Sequence, residues 1–441
     1  MDDEEAAQAR LTAARLSAEG VVGLALSWVD NAGIARMKAV PLRRLTEAVR
    51  LGVGMSPVFD VFLVDDSVTT SRLLGGPGGD LRLFPDLDRA VPLAAQPGWA
   101  WAPADRYRQD GTPHPACQRR FAKRMADRAL SRGLTFQAAY EVEWVVQTPD
   151  GSSPTDGPAY GLHRFTDLSD YLRDVLQALE EQQLDVQQIH PEYAAGQFEV
   201  SIAAEDPVGA ADSTVLVRQT IRAVSARHGL RASFAPSVQA GSVGNGAHLH
   251  LSAWRDDVNL MSGGDGRHGL GKEGEAFLGG VLAALPALLA LGAPGVASYL
   301  RLVPSHWAGA YQCWGLENRE AALRLIAGSR PAANAEVKCF DGAANPYLAV
   351  GGVIAAGLAG VDSGATLPPE VEGDPALLDS PPPRLPQSLA DALSAYERSE
   401  LLADALGETL FEAVRAVRQA EVELFAGQSA EQISAATRWR Y

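Results

Sequence analysis

Four stretches of this sequence alternate apolar residues with histidine or glutamate, and this pattern constrains the fold more than any other feature. The first spans residues 244–252, where a glycine-rich turn precedes strict alternation. A period of two places His248, His250 and Ser252 on one face of a strand and apolar residues on the other. Taken alone, such a face is equally compatible with a solvent-exposed strand edge.

Three further stretches, residues 140–144, 197–202 and 335–339, carry glutamates in the same way. Their acidic residues are Glu141, Glu143, Glu199 and Glu336. If these strands line one cavity, several carboxylates converge there. Two carboxylates about 4 Å apart repel by roughly 4 kcal/mol at an effective dielectric near 20, so such a cluster needs protons or cations. Oxygen ligands with a single imidazole suit magnesium or manganese better than a structural zinc ion.

Length and composition exclude several classes of protein. A chain of 441 residues is too long for one simple core, so we expect two domains. The net charge of −16 and the absence of a Lys/Arg cluster argue against nucleic-acid binding. Three cysteines without paired spacing indicate reduced thiols and a cytoplasmic location. The acidic residues 1–5 are unlike a signal peptide, and the longest apolar run, 347–360, predicts a buried helix rather than a membrane span.

The predicted elements divide the chain near residue 105. Before it, a helix at 6–19, a hairpin at 21–40 and a short strand at 80–86 indicate a small α+β domain. After it, the four alternating strands are interspersed with predicted helices at 115–132, 168–183, 211–227 and 275–291. Residues 391–425 are also predicted to be helical.

Three arginines, Arg301, Arg319 and Arg324, lie between apolar runs in the C-terminal half. Arginines in this setting commonly form salt bridges at the surface. Beside a carboxylate–metal cavity, however, guanidinium groups favour the binding of carboxylate or phosphate oxygens.

Together these motifs resemble the glutamine synthetase family, in its type I branch. In chain order they are the Glu-x-Glu strand, His-x-Glu with Ala-Gly-Gln-x-Glu at 190–199, Gly-x-Gly-x-His-x-His-x-Ser, Arg-Leu-Val-Pro, Asn-Arg-(x)4-Arg and Ala-Ala-Asn-Pro-Tyr. The resemblance implies an α+β fold with a small N-terminal β-grasp domain, residues 1–105. It also implies a large catalytic domain, residues 106–441, with a curved antiparallel sheet flanked by helices. A homo-oligomer is implied as well, a dodecamer of two stacked hexameric rings with active sites between neighbouring subunits.

The same resemblance implies the reaction and the residues that serve it. Family chemistry makes γ-glutamyl phosphate from glutamate and ATP with at least two magnesium ions, or manganese as an alternative, and an amine then forms the amide. One metal would be held by Glu143, Glu192 and Glu199, and the other by Glu141, His248 and Glu336. Arg319 and Arg324 would contact ATP and neutralise the transferring phosphoryl group. Arg301, Lys338 and Gly244 would bind the amino acid, and His250 and Ser252 the nucleotide.

Several positions depart from the family pattern. Ammonia-using members carry a flap glutamate three residues after the Arg-Leu-Val-Pro proline, where this chain has Trp307. They also carry an aspartate from the neighbouring subunit, where this chain has Ser56. Both acids serve the ammonium ion in those enzymes. Lys338 stands in place of an arginine, which weakens bidentate recognition of a carboxylate, and Asn334 replaces a phosphate-side arginine.

These departures favour a ligase that couples glutamate to an organic primary amine, similar to γ-glutamylpolyamine and γ-glutamylethanolamide synthetases. Trp307 and Ser56 are then expected to lie at the amine site. Ethanolamine, a polyamine, an alkylamine and an aromatic amine all remain open. One alternative is glutamine synthesis from ammonium. A non-catalytic family member acting in assembly or nitrogen sensing is another, although the full set of metal ligands argues against it.

Overall fold

The N-terminal part of the chain builds one six-stranded sheet with two helices. The computed structural model describes residues 3–441, so Met1 and Asp2 of the acidic stretch lie outside the described residues. The helices are α1 (Asp3–Ala18) and α2 (Leu45–Leu51), and the strands are β1 (Gly23–Val29), β2 (Ala35–Pro41), β3 (Val53–Met55), β4 (Leu81–Pro85), β5 (Val91–Pro92) and β6 (Trp99–Tyr107). The sheet order is β2-β1-β6-β4-β3, with β5 paired to β6. Its apolar cluster includes Leu16, Leu24 and Leu45, all fully buried.

The rest of the chain builds a nine-stranded sheet of order β13-β14-β15-β11-β7-β9-β8, with β10 and β12 at its side. Its strands are β7 (Thr135–Gln147), β8 (Val186–Pro191), β9 (Gln197–Ile202), β10 (Arg231–Ser233), β11 (Ala247–Arg255), β12 (Val258–Asn259), β13 (Tyr311–Leu316), β14 (Ala321–Ile326) and β15 (Asn334–Val337). Every pair is antiparallel except β13 with β14, which is parallel. The four stretches with polar and apolar alternation lie on four consecutive strands of this order, β15-β11-β7-β9.

Helices pack on this larger sheet and close its apolar face. They are α3 (Gln118–Leu130), α4 (Leu162–Asp167), α5 (Ser169–Glu181), α6 (Pro207–Arg227), α7 (Lys272–Gly292), α8 (Ser298–Arg301), α9 (Pro346–Ser363), α10 (Leu389–Glu397), α11 (Glu400–Leu406), α12 (Glu408–Leu424) and α13 (Ala430–Thr437). The predicted helical region 391–425 is therefore three helices. Ser399 caps the second of them, and Gly407, with φ of 75°, separates the second from the third.

Two of these helices, α7 and α9, are long and apolar enough to span a membrane, but both are mostly buried in the core of the fold. They pack against each other through glycines. A Cβ atom on Gly360 would lie 2.2 Å from the carbonyl oxygen of Ala276, and one on Gly280 would lie 2.4 Å from that of Ala356. Only glycine permits this close backbone approach. Asn345 caps the start of α9 by accepting hydrogen bonds from the backbone of Tyr347 and Leu348.

Candidate active site

The register of three strand pairs brings the predicted acidic and histidine side chains together. Strand β7 lies between β11 and β9, and β15 flanks β11. Directly opposed pairs are Glu141 with His248, Glu143 with Glu199, and His250 with Glu336. Because residues opposite each other point to the same face, these side chains share one cavity wall. The convergence inferred from the alternating pattern is confirmed.

Three sets of side chains within this wall bring their ligand atoms within 4.8 Å of one another. They are Glu141, Glu199 and His248; Glu141, His250 and Glu336; and His190, Glu192 and Glu199. Each set offers carboxylate oxygens and one imidazole, which suits a hard divalent cation. His190 and His250 belong to these sets although the resemblance gave neither a ligand role. The His-x-Glu motif at the end of β8 was the available signal for His190.

Glu143 is held mainly by hydrogen bonds from amide groups, and Nε2 of His248 lies 3.6 Å from its Oε1. One of its oxygens accepts from the backbone amide of Gly246 at 2.9 Å and from the side-chain amide of Gln197 at 3.0 Å. Burial raises the pKa of Glu143 to about 7, against the opposing charge of Arg301. A divalent cation nearby would favour the ionised form of this carboxyl group.

Glu141 and Glu336 are held ionised by their neighbours, whereas burial raises the pKa of Glu199. Burial opposes ionisation of Glu141, but hydrogen bonds with His248 and His250 hold its pKa well below the usual range. Burial likewise opposes ionisation of Glu336, yet the charge of Lys338 helps to lower its pKa to about 2. The cluster therefore carries several negative charges that depend on nearby cations.

Lys338 and Arg301 are two buried cations of the carboxylate wall. Lys338 is only 3% exposed, and its Nζ donates to Oε1 of Glu336 at 3.0 Å. Arg301, at the end of α8, contacts Nε2 of His248 through Nη2 at 3.0 Å. Its other terminal nitrogen, Nη1, is buried without a hydrogen-bond partner in the described part of the chain.

Two predicted phosphate-binding arginines occupy different settings. Arg324 lies in the wall, where Nη1 donates to Glu336 at 3.1 Å and Nη2 donates to Glu317 at 2.5 Å. Arg319 lies exposed on the turn between β13 and β14. The structure thus brings Arg324 into the cluster, whereas Arg319 is exposed and forms no side-chain hydrogen bond or ion pair with the cluster within residues 3–441.

The remaining predicted residues lie at or outside the edge of the cluster. Ser252 is buried and accepts a hydrogen bond from the indole of Trp254. The carbonyl oxygen of Gly244 accepts from Gln197 at 3.0 Å, so it borders the Glu143 side. Ser56 caps the turn that follows β3, where its hydroxyl accepts from the backbone amide of Val58.

A flap of residues 303–309 covers one end of the cluster. Trp307 is half-exposed on this flap, and its ring meets the ring of Tyr193 edge to face, with centroids 6.4 Å apart. The backbone amide of Trp307 donates to the buried carboxylate of Glu320 at 2.6 Å. Sequence reasoning missed Tyr193 and Glu320. The only sequence signal for Tyr193 was that it follows Glu192, and the only one for Glu320 was that it follows Arg319.

Comparison with known proteins identifies the family. A family model described as "Glutamine synthetase, catalytic domain" matches residues 115–436. The chain belongs to the glutamine synthetase family. It is 54% identical to "Gamma-glutamylpolyamine synthetase GlnA3" of Streptomyces coelicolor, over 99% of this chain and 97% of that protein. It is 30% identical to a glutamine synthetase of Rhizobium meliloti, over 94% and 95% of the two chains.

Solved structures of family members have the same fold. A novel glutamine synthase homolog superposes with a TM-score of 0.86 at 34% identity, covering 96% of this chain and 99% of that chain. A GmaS–ADP complex superposes with a TM-score of 0.85 at 29% identity, covering 95% and 97%. The predicted α+β fold class is confirmed. Glutamine synthetases and their amine-ligating relatives are ligases that form ADP and phosphate, and the family uses ATP with divalent metal ions.

Proposed function

We propose that this glutamine synthetase family member joins the γ-carboxyl group of glutamate to an organic primary amine, through γ-glutamyl phosphate formed from ATP. The observation that carries this proposal is Trp307, a bulky apolar side chain on the flap where ammonia-using members have an acid. Ammonium gives up its hydration on entering a closed site and therefore needs fixed negative charge there. An indole face offers contact to an alkyl chain instead. The relative that is 54% identical, named for a γ-glutamylpolyamine product, supports the same assignment.

The carboxylate wall fits two magnesium ions. We assign Glu143, Glu192 and Glu199 to one ion and Glu141, His248 and Glu336 to the other, with manganese as an alternative. The donor chemistry supports this assignment, since the wall gathers carboxylate oxygens with few imidazoles and its candidate ligand sets contain no thiol. When bound, the metal ions neutralise charge on the phosphoryl group and on the attacking and leaving oxygens.

The protein's own cations orient the two anionic substrates. Nη1 of Arg301 is buried without a hydrogen-bond partner within residues 3–441, which supports a role for this residue in binding the amino acid carboxylate, because an orphaned buried donor is costly unless a ligand fills it. Lys338 and Gly244 lie beside it as the other proposed amino acid contacts. Arg324 is assigned to the transferring phosphoryl group, and its Nε is likewise unpaired among the described residues. Arg319 would contact the phosphoryl group together with Arg324 only after the exposed turn closes on ATP. His250 and Ser252 are assigned to the nucleotide.

The proposed assembly is a homo-oligomer, a dodecamer of two stacked hexameric rings, in the cytoplasm. Ser56 caps the turn that follows β3, and the family resemblance assigns this position to the active site of a neighbouring subunit. Three free, buried thiols are in keeping with a reducing compartment. Mass photometry of the purified protein tests the ring size, and a monomer that is active would contradict the shared site.

A phosphate-release screen tests the reaction. The purified protein is given fixed ATP, magnesium and glutamate with ammonium, ethanolamine, an alkylamine, an aromatic amine or a polyamine. We expect at least one organic amine to drive glutamate-dependent phosphate release, with ammonium poor even at high concentration. Mass spectrometry should then find the γ-glutamyl amide of that amine. Efficient glutamine formation without a response to any amine would overturn the proposal in favour of ordinary glutamine synthesis. No ATP turnover under any condition would instead indicate the non-catalytic alternative.

A further inference from the structure

Three half-exposed aromatic side chains stand together at one end of the carboxylate wall. Tyr160, Tyr193 and Trp307 are 51%, 51% and 52% exposed. The ring of Tyr160 lies 6.4 Å from the ring of His190, and Tyr193 directly follows Glu192 in the chain. This aromatic rim, as we call these three residues, therefore adjoins the end of the wall formed by His190 and Glu192. Large exposed aromatic groups concentrated at a site mouth indicate a binding surface.

The rim is built from three separate segments, and two of them meet at Tyr193 and Trp307. Tyr193 is tied to the wall, because its backbone amide donates to Oε2 of Glu192 at 3.1 Å. Trp307 belongs to the flap, and its ring contacts that of Tyr193. The edge-to-face contact of the two rings leaves part of each π face open.

The flap holds Trp307 in an unfavourable backbone conformation. Ser305 and Trp307 have φ values of 57° and 54°, in the left-handed region that side-chain-bearing residues rarely adopt. Such a conformation persists only where neighbouring contacts impose it. Glu320 supplies one contact through the backbone amide of Trp307, at 2.6 Å, and Asp374 supplies another by accepting from the hydroxyl of Ser305 at 2.7 Å.

We propose that Tyr193 and Trp307 form a subsite for the distal, positively charged end of a diamine or polyamine, and that Glu320 positions Trp307 for this purpose. This inference rests on the proposed function and names its substrate class. The reacting amine must lie near the wall, so a longer amine extends outward past Glu192 towards the rim. There the two rings offer apolar contact to methylene groups and π faces to an ammonium group. The acids Glu192 and Asp374 make this end of the site unfavourable for anions and suited to a cation.

The test compares two amines of equal carbon number, 1,4-diaminobutane and butylamine, which differ only in the distal ammonium group. We expect Trp307→Leu and Tyr193→Leu each to lower kcat/KM for the diamine about 10-fold and that for the monoamine about 2-fold, since a cation–π contact contributes roughly 2- to 30-fold. Trp99→Leu, which removes a 40% exposed tryptophan from β6 of the N-terminal sheet, is the matched control and should leave the diamine-to-monoamine ratio unchanged. Equal losses for both amines in the rim variants would overturn the subsite.

Glu320 is tested by the same ratio. Glu320→Ala removes the acceptor for the Trp307 amide, so the preference for the diamine should fall about as far as in Trp307→Leu. Glu320→Gln keeps a carbonyl oxygen at that position and should retain the preference. Loss of the preference in both variants would show that the charge of Glu320 contacts the substrate, and retention in both would remove Glu320 from the proposal.

The proposed reaction and the subsite fail in different ways. If no amine of the phosphate-release screen is used by the unsubstituted protein, the proposed function is wrong, and if only amines other than these two are used, the reaction stands and the diamine subsite is wrong. If both amines react but the diamine is not preferred by the unsubstituted protein, the reaction stands and the cation subsite is wrong.

Discussion

Replacing Lys338 with methionine should weaken the metal-free fold while strengthening metal binding. The Nζ of Lys338 lies 3.0 Å from Oε1 of Glu336, and both side chains are almost completely buried. At this distance the pair attracts by about 5 kcal/mol at an effective dielectric near 20. Removing one partner of a buried pair costs about 3–5 kcal/mol, because the other charge is left uncompensated. Arg324 still contacts Glu336 at 3.1 Å, so we expect a loss near the lower end, about 3 kcal/mol.

Added magnesium or manganese should reverse much of this loss. Lys338 and a divalent cation both compensate the charge of Glu336, so removal of the lysine leaves more negative charge for the ion. Urea unfolding in chelator and in excess metal measures the stability change, and titration calorimetry with manganese measures the affinity. General damage to the fold would lower both the stability and the manganese affinity. If Lys338 competes with the metal ion for Glu336, the stability in chelator falls while the manganese affinity rises.

Lys123→Met provides the matched control. Its Nζ pairs with Asp105 at 2.8 Å but is 34% exposed, so its loss should cost less than about 1 kcal/mol and leave manganese affinity unchanged. An unchanged urea midpoint for Lys338→Met in chelator would refute the argument. Lys338→Arg, which keeps the charge, should leave the glutamate KM unchanged or lower it, and a large increase would show that the pocket is shaped for lysine.

Three further predictions concern the wall and the core. Glu199→Gln should preserve the fold and abolish activity, because one charged oxygen is lost from the cation site; turnover at the parent rate in magnesium would contradict the ligand assignment. Gly246→Ala should lower manganese affinity about 10- to 100-fold by calorimetry, since its Cβ would lie 2.3 Å from Nε2 of His248 and displace that ring; unchanged affinity would show that the ring is not a ligand. Burial raises the pKa of Glu421 from 4.5 to about 7, so this group's contribution to stability is complete below about pH 4.5 and is lost as the pH rises through 7. Between pH 5 and pH 8, the free energy of unfolding of Glu421→Gln should therefore rise by roughly 3 kcal/mol relative to that of the parent, as measured by urea unfolding. A difference in free energy of unfolding that does not change with pH would contradict this pKa.

The convergence of acids and histidines could be predicted from the sequence because strand periodicity is local. Alternation fixes which face a side chain occupies, and the hypothesis that the strands line one cavity then grouped Glu141, Glu143, His248 and Glu336. The pairing of individual ligands could not be predicted in this way. It depends on strand register, which turns and bulges set, and register placed His250 opposite Glu336.

The contacts that Trp307 makes with Glu320 and Tyr193 could not be predicted from the sequence, for a different reason. Glu320 reaches the amide of Trp307 across 13 residues, and Tyr193 meets the same residue across more than 100 residues. Neither contact has a periodic signal, because both segments lack regular structure at that point. The domain boundary near residue 105 and the assignment of Arg319 and Ser56 stay predictions.

The glycine-mediated contact between α7 and α9 has a consequence for synthesis on the ribosome. Helix α7 ends at Gly292 and its partner begins only at Pro346, so the 53 residues 293–345 must be added between them. At translation rates of about 5–20 residues per second, this synthesis takes roughly 3–11 s. During that time the apolar surface of α7 that α9 covers in the folded protein stays exposed. Nascent chains halted in this interval should therefore recruit chaperones or aggregate, whereas chains that extend beyond α9 should not.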